Sequence, residues 1–98
     1  MDVRTTVVAG ATTPWFLIPD REPVVVVCAP GSGGTMKAQA SWSPVSVIQA
    51  DNQNGTSNAV AIDWPFGTVS VATVSDVTLR AKAIRFIATT ATGIGEIA

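Results

Sequence analysis

Few residues of this 98-residue chain could carry acid–base or nucleophilic chemistry. The chain has no histidine and one cysteine, Cys28. Cys28 lies in the apolar run 24–29, where a thiol most often packs as a small buried side chain, and a single cysteine rules out an intrachain disulfide. Because nucleophile–base triads and zinc sites draw mainly on His and Cys, we expect no enzyme activity, no bound metal and no cofactor.

The acidic and glycine-rich stretches also favour turns over chemistry. Seven carboxylates stand mostly singly at predicted turns, where Asp forms local backbone hydrogen bonds. The stretch from Asp51 to Asn58 lacks the spacing and distal Glu of an EF-hand, so we interpret it as an exposed loop, with calcium binding assisted by another loop as the alternative. The stretch from Pro30 to Lys37 lacks the Gly-Lys-Ser/Thr of a phosphate-binding loop and is typical of a hairpin turn.

Aromatic and basic residues are the remaining candidates for contacts. Trp64-Pro65-Phe66-Gly67 predicts an exposed aromatic corner, because turn residues surround it. Tryptophans in a small sandwich are more often core or interface anchors than sugar-stacking residues. Arg80, Lys82 and Arg85 form the only local basic cluster, which is either a solvated strand face or a surface that pairs with acidic residues of a partner. The residues expected at an interface are therefore Trp15, Trp64, Phe66, Arg80, Lys82 and Arg85.

The composition indicates that β-strands position these residues. Val, Ile and Thr make up about a third of the chain, whereas only two Leu are present. Charged residues are 13% of the chain, against roughly 25% in ordinary soluble domains. A β domain with so little charge lacks the usual protection of its sheets against association, so we expect partners to cover part of its surface. The alternative is a neutral, Thr-rich sheet that is soluble alone.

Runs of β-branched residues alternate with turn clusters at the spacing of a sandwich or small barrel. We therefore expect one all-β domain over residues 1–98, a small antiparallel β-sandwich or jelly-roll-like barrel. The predicted strands are Val3–Ala9, Trp15–Ile18, Pro23–Ala29, Thr35–Ser43, Val45–Gln49, Ala59–Asp63, Thr68–Thr73, Lys82–Thr89 and Ile94–Ala98.

Four segments carry more specific patterns. Val24–Val27 is apolar on both faces, which predicts a strand covered on two sides, one of them by a neighbouring subunit. Thr35–Ser43 alternates in polarity and predicts a half-exposed strand. The apolar pattern changes phase near Ala83, which predicts a β-bulge there. The last segment still has the pattern of a strand at Ala98, which suggests a terminus held in a sheet.

Charge and hydropathy exclude two classes of partner. The net charge is −1 and the six basic residues are scattered, so we expect no nucleic-acid binding. No apolar stretch approaches the ~20 residues of a membrane span, and the first residues do not have the pattern of a signal peptide. We expect a protein made in the cytoplasm, without a membrane partner.

Three stretches of the chain resemble small β-rich virion proteins of tailed bacteriophages. They are the strand and polar loop from Trp42 to Asp51, the Trp64-Pro65-Phe66-Gly67 corner, and the run Ala83–Thr89 followed by a glycine-rich final strand. The resemblance covers roughly the C-terminal 60 residues. It implies a jelly-roll-like capsid decoration or cement protein, commonly trimeric, and it carries no catalytic residues.

We therefore expect a structural virion protein on the capsid exterior, which stabilises the phage head by bridging capsomers. Its partners would be the major capsid protein or other virion proteins and further copies of itself, most often as a trimer. One alternative is a tail or head–tail accessory protein. Another is a carbohydrate-binding module that stacks sugars on Trp64.

Overall fold

In a computed structural model of the protein, the backbone of residues 1–98 is described, together with every side chain except that of Arg21. Along this backbone the chain forms eight strands, one α-helix and a 3-10 turn. They are β1 (Val3–Val7), β2 (Phe16–Leu17), the 3-10 turn (Pro19–Arg21), β3 (Val26–Ala29), β4 (Met36–Ser41), α1 (Val45–Asn54), β5 (Ile62–Asp63), β6 (Thr73–Val74), β7 (Ala83–Ala88) and β8 (Gly93–Ile97).

The strands form two four-stranded antiparallel sheets. Sheet A has the order β1-β8-β3-β6, and sheet B has the order β2-β7-β4-β5. Four antiparallel pairs are nested around the β4–β5 connection. From the innermost to the outermost they are β4 with β5, β3 with β6, β2 with β7 and β1 with β8. A long hairpin rolled up in this way has the connectivity of an eight-stranded jelly roll. The predicted all-β sandwich is confirmed.

The core of the sandwich follows from strand alternation. Val26 and Cys28 of β3 point inward and meet Met36 and Ala38 of β4, while Val27 of β3 points outward. Burial raises the pKa of the Cys28 thiol to about 12. This agrees with the prediction that Cys28 is a packed apolar side chain.

One glycine in the final strand is required by this packing. Gly95 of β8 lies against the ring of Phe86, where a Cβ atom would come within 2.6 Å of the ring carbons. Phe86 has no exposed surface and also packs against Phe16, with ring centroids 6.4 Å apart. The small residue therefore lets β8 approach the buried ring of Phe86.

The predicted strand Val45–Gln49 is wrong, because this segment is the first half of α1. The carbonyl of Pro44 accepts hydrogen bonds from the N–H groups of Val47 and Ile48, which starts the helix. Gly55, in the left-handed conformation at φ 66°, ends it. The β-branched residues of the segment favour a strand locally, but the burial of Ile48 against sheet B outweighs that preference.

Two further strand predictions differ from the structure in extent. Of the predicted strand Ala59–Asp63, only Ile62–Asp63 pairs, and β6 begins where the predicted strand Thr68–Thr73 ends. The phase change near Ala83 is present: Ala81 packs in the sandwich core, whereas Ala83 packs on the opposite side of sheet B.

Candidate functional site

The predicted aromatic corner is not exposed at its tryptophan. Trp64 is only 1% exposed, and its Nε1 donates a 2.9 Å hydrogen bond to Ser75 Oγ inside the core. Alternation along β5 explains this, since Asp63 points outward and the next side chain must point inward. Phe66 is half-buried and packs against the same core. The interpretation of Trp64 as a surface aromatic is wrong, and neither a partner nor a sugar ring can stack on it in this structure.

Trp15 and Arg85 are also engaged within the chain. Trp15 is 4% exposed and packs with Ile48 and Ala83 between sheet B and α1. The Arg85 guanidinium lies 4.5 Å from the centroid of the Trp15 ring, and its Nε donates a 2.9 Å hydrogen bond to Gln39 Oε1. Desolvation lowers the pKa of Arg85, and the charge of Asp51 partly opposes this. Both side chains therefore have a structural role on this side of the sheet.

The basic cluster predicted from the sequence is divided by the fold. Arg85 faces α1, whereas Arg80 is exposed beyond the end of β4, where its carbonyl accepts a hydrogen bond from Trp42 Nε1. Lys82 is half-buried, and among the described side chains neither Arg80 nor Lys82 forms an ion pair. A contact of these two residues with an acidic partner stays a prediction.

A buried carboxylate organises the stretch that we interpreted as an exposed loop. Asp51 lies on α1 and is 3% exposed. Its Oδ1 accepts hydrogen bonds from the Thr56 hydroxyl at 2.7 Å and the Asn58 N–H at 2.9 Å, and its Oδ2 accepts one from the Ala59 N–H at 2.7 Å. The backbone N–H groups of Ala59 and Asn58 lower the pKa of Asp51 most strongly.

The interpretation of 51–58 as an exposed loop is correct for the exposure of all these residues except Asp51, but residues 51–54 are helical, and Thr56 and Asn58 are bonded to Asp51. Its two carboxylate oxygens already accept hydrogen bonds from the chain. Among the described side chains, no group of three His, Cys, Asp or Glu residues could hold a metal ion.

Asn52, the next residue of α1, closes one edge of sheet B. Its Oδ1 accepts the Trp15 N–H at 2.7 Å, and its Nδ2 donates to the Trp15 carbonyl at 2.8 Å. The side-chain amide thus replaces a neighbouring strand at this position. A cavity of about 210 Å³ lies beside it, lined by Thr12, Pro14, Trp15, Asn52, Thr56 and Arg85 among others.

The outer face of sheet A is the candidate docking surface. Arg4, Glu96, Val27 and Val74 form one row across its four strands. In the neighbouring row Ile94 lies beside Thr6 and Ala29. Arg4 Nη1 lies 3.2 Å from Glu96 Oε2, and Val74 is 61% exposed. We refer to Arg4, Thr6, Val27, Ala29, Val74, Ile94 and Glu96 as the outer face of sheet A.

The two-sided valine run contributes to this surface. Val24 and Val26 are buried in the core, whereas Val25 and Val27 point outward and are half-buried. The prediction of an inner apolar face is confirmed, and the cover of the outer one by a neighbouring subunit stays a prediction. Strand alternation in the sequence places Arg4 and Glu96 on an outward face. The sequence does not show that Val74 lies in the same row, because β6 is only two residues long.

No family model, curated protein or solved structure matches the chain. Among the described residues no helix is long and apolar enough to span a membrane, and α1 has ten residues.

Proposed function

We propose that this protein is a non-catalytic structural component of a tailed-phage virion. In this role it is made in the host cytoplasm, docks on the capsid exterior through the outer face of sheet A, and stabilises the shell by bridging neighbouring capsomers. The observation that carries the proposal is the composition of this face: valine, isoleucine, threonine and alanine with a single ion pair, on a sheet that no helix of the chain covers.

The chemistry of the outer face of sheet A suits a protein partner. The cores of protein interfaces are depleted in charged residues, and the only charges in this face, Arg4 and Glu96, already pair with each other. A flat partner surface could therefore cover Val27 and Val74 without leaving an isolated charge buried. A contact on the order of 800 Å² per partner is typical of such docking, and repetition over a shell would raise the effective affinity.

The rolled-hairpin connectivity supports the same role without specifying it. Jelly rolls occur in viral capsid proteins, in lectins and in cupins, and a fold alone does not fix function. The carbohydrate-binding alternative relied on stacking at Trp64, which lies in the core. Trp42 is 38% exposed, but it is a single ring outside the outer face of sheet A, and its Nε1 donates to the Arg80 carbonyl. Docking on a protein surface is thus the role that the geometry favours.

The test is co-sedimentation of the purified protein with expanded capsid shells of the phage that encodes it. Val74→Lys places a charge in the outer face of sheet A and should weaken binding by at least about tenfold. Val60→Lys is the matched control, because Val60 is equally exposed, at 65%, but lies outside that face. Binding within about twofold of the wild type is expected for this control.

Two outcomes would overturn the capsid assignment. One is a wild-type protein that stays in the supernatant with shells at every concentration. The other is co-sedimentation with isolated tails and not with shells, which would support the tail or head–tail alternative instead. Equal loss of binding in the two lysine variants would show that docking does not use the outer face of sheet A.

A further inference from the structure

The four edge strands of the two sheets are protected to different degrees. The outer edge of β2 is closed by the Asn52 amide at Trp15. β5 and β6 are edges of only two residues each. β1 is five residues long, pairs with β8 on one side, and pairs with no strand of the described chain on the other. It also contains no proline, so its unpaired side can accept another strand.

We propose that the edge formed by residues 1–5, which includes the first residues of β1, pairs antiparallel with the same residues of a second copy of this chain. The paired molecules would share one continuous eight-stranded sheet built from two copies of sheet A. This interface uses the backbone edge of the strand and shares only Arg4 with the contacts proposed for the outer face of sheet A, and it goes beyond the proposed virion role. It needs only the unpaired edge and its side chains.

The side-chain alternation of β1 restricts the possible registers. Exposure alternates from Met1 to Val7, with Asp2, Arg4 and Thr6 outward. In a two-fold antiparallel pair, opposite residues must lie on the same face, so the axis must pass through a residue position. Axes at Val3, Arg4, Thr5 and Thr6 all satisfy this rule, and the last of these places Arg4 opposite Val8 and gives it no acidic partner.

Charge complementarity selects the axis at Val3. An axis at Arg4 places two arginines directly opposite each other, which is destabilising. An axis at Thr5 places Asp2 opposite Val8 and leaves both charges of the strand without a partner. With the axis at Val3, Asp2 of each copy lies opposite Arg4 of the other copy. Asp2 is exposed and forms no ion pair among the described side chains, so it is free for this contact.

The same charge pattern indicates that the partner at this edge is a second copy of the chain. The edge carries one acid and one base two residues apart, a pattern that is complementary to itself when the strand is reversed. Arg4 would then lie between Glu96 of its own chain and Asp2 of the second copy. A two-fold pair of this kind is a dimer, in contrast to the trimer implied by the phage resemblance, which would require β1 to pair with a different edge.

Sedimentation velocity of the full chain tests the pairing. The wild type should sediment as a dimer at accessible concentrations. Asp2→Lys creates two symmetric Lys–Arg oppositions and should raise the dimer dissociation constant by roughly tenfold or more. Asp76→Lys makes the same charge change at an exposed site outside β1 and should stay within about twofold of the wild type. Circular dichroism confirms that both variants are folded.

Cysteine cross-linking tests the register. With the axis at Val3, the Val3→Cys side chains face each other with Cβ atoms about 5 Å apart, which suits a disulfide. Thr5→Cys side chains are too far apart to join in that register. The native Cys28 is fully buried and does not compete. Mild oxidation should therefore give a covalent dimer for Val3→Cys and none for Thr5→Cys.

Several results would overturn the proposal. They are a wild type that is monomeric up to about 1 mM, a trimeric mass, equal behaviour of Asp2→Lys and Asp76→Lys, or cross-linking at Thr5 instead of Val3. The Val3 cross-link requires no capsid shell. Failure of shell binding and failure of β1 pairing are thus separate observations.

Discussion

The outer faces of the two sheets arise from the same strand alternation, but only that of sheet B is covered by another element of the chain. On sheet B, the outward side chains of Trp15, Leu17 and Ala83 are covered by α1 and form a second apolar cluster with Ile48. On sheet A, no element of the described chain covers the outward row that contains Val74. One face is completed by the chain itself, and the other is left open.

The difference shows what is needed to cover a sheet within one small domain. Helix α1 has little amphipathic pattern of its own and is held by specific polar contacts. Asp51 fixes the segment that follows the helix, and Asn52 joins the helix to the edge of β2. Nothing comparable is anchored over sheet A. Low charge therefore indicates a partner chiefly for sheet A, because on sheet B the outward apolar cluster is internal and Ile62, at 52%, is the exposed apolar residue of its strands.

The largest contrast between the two faces should come from removing one apolar side chain on each. Ile48→Ala leaves a cavity between α1 and sheet B and should lower the free energy of unfolding by about 3 kcal/mol. Val74→Ala on the outer face of sheet A should change it by less than about 0.5 kcal/mol, because Val74 is already largely solvated. Urea unfolding at equal protein concentration measures both. A similar loss in the two variants would contradict the contrast.

Loss of the anchoring charge should have the next largest effect. Asp51→Asn removes the carboxylate that accepts three hydrogen bonds and should lower Tm by roughly 5–10 °C. The pKa of Asp51 is below its ordinary value of 3.8 in the folded protein. Its stabilising contribution is therefore fully present above that ordinary value and is lost as the pH falls through the lower, folded-state pKa.

Thermal unfolding between pH 7 and pH 2 measures this dependence. The Asn variant should show a smaller loss of Tm in acid than the wild type, because it has no carboxylate to protonate at this position. Asp76→Asn, at an exposed site, serves as the control and should follow the wild-type profile. Parallel pH profiles for Asp51→Asn and the wild type would contradict the role given to Asp51.

Much of the sandwich could be predicted because strand alternation is a local property. The strands around Val3, Val26, Met36 and Ile84 all occur, and the last three of these residues point inward. The prediction that Thr35–Ser43 is a half-exposed strand is wrong, because Gln39 and Ser41 on its polar face are buried. The helix could not be predicted from the same signal, because residues 45–49 are rich in β-branched types. Its local markers are Pro44 before the first turn and Asn54-Gly55 at its end, and the Asn-Gly pair equally favours a tight turn.

The candidate site was less accessible to sequence reasoning because it depends on long-range pairing. Trp64 follows a two-residue strand, so its direction depends on the pairing of Asp63 with Gln39, far away in the sequence. The turn residues on both sides of Trp64 predict an exposed side chain, but packing in the core buries the ring. Similarly, Asp51 looks like one of several solvated acids until the path of the segment after α1 is known.

The smallest expected effect is the difference in stability between substitutions of Arg85, on the outer face of sheet B, and of Arg4, on the outer face of sheet A. Arg85→Met loses the hydrogen bond to Gln39 and the contact of the cation with Trp15, but it keeps an adaptable side chain over the ring. Arg85→Met should lower the free energy of unfolding by about 1 kcal/mol, because removing a partly desolvated charge offsets part of the lost interaction. Arg4→Met on sheet A loses only an exposed ion pair and should cost less than about 0.5 kcal/mol. Urea unfolding measures both, and a loss above about 3 kcal/mol for Arg85→Met would mean that this guanidinium, like Asp51, is an anchor of α1.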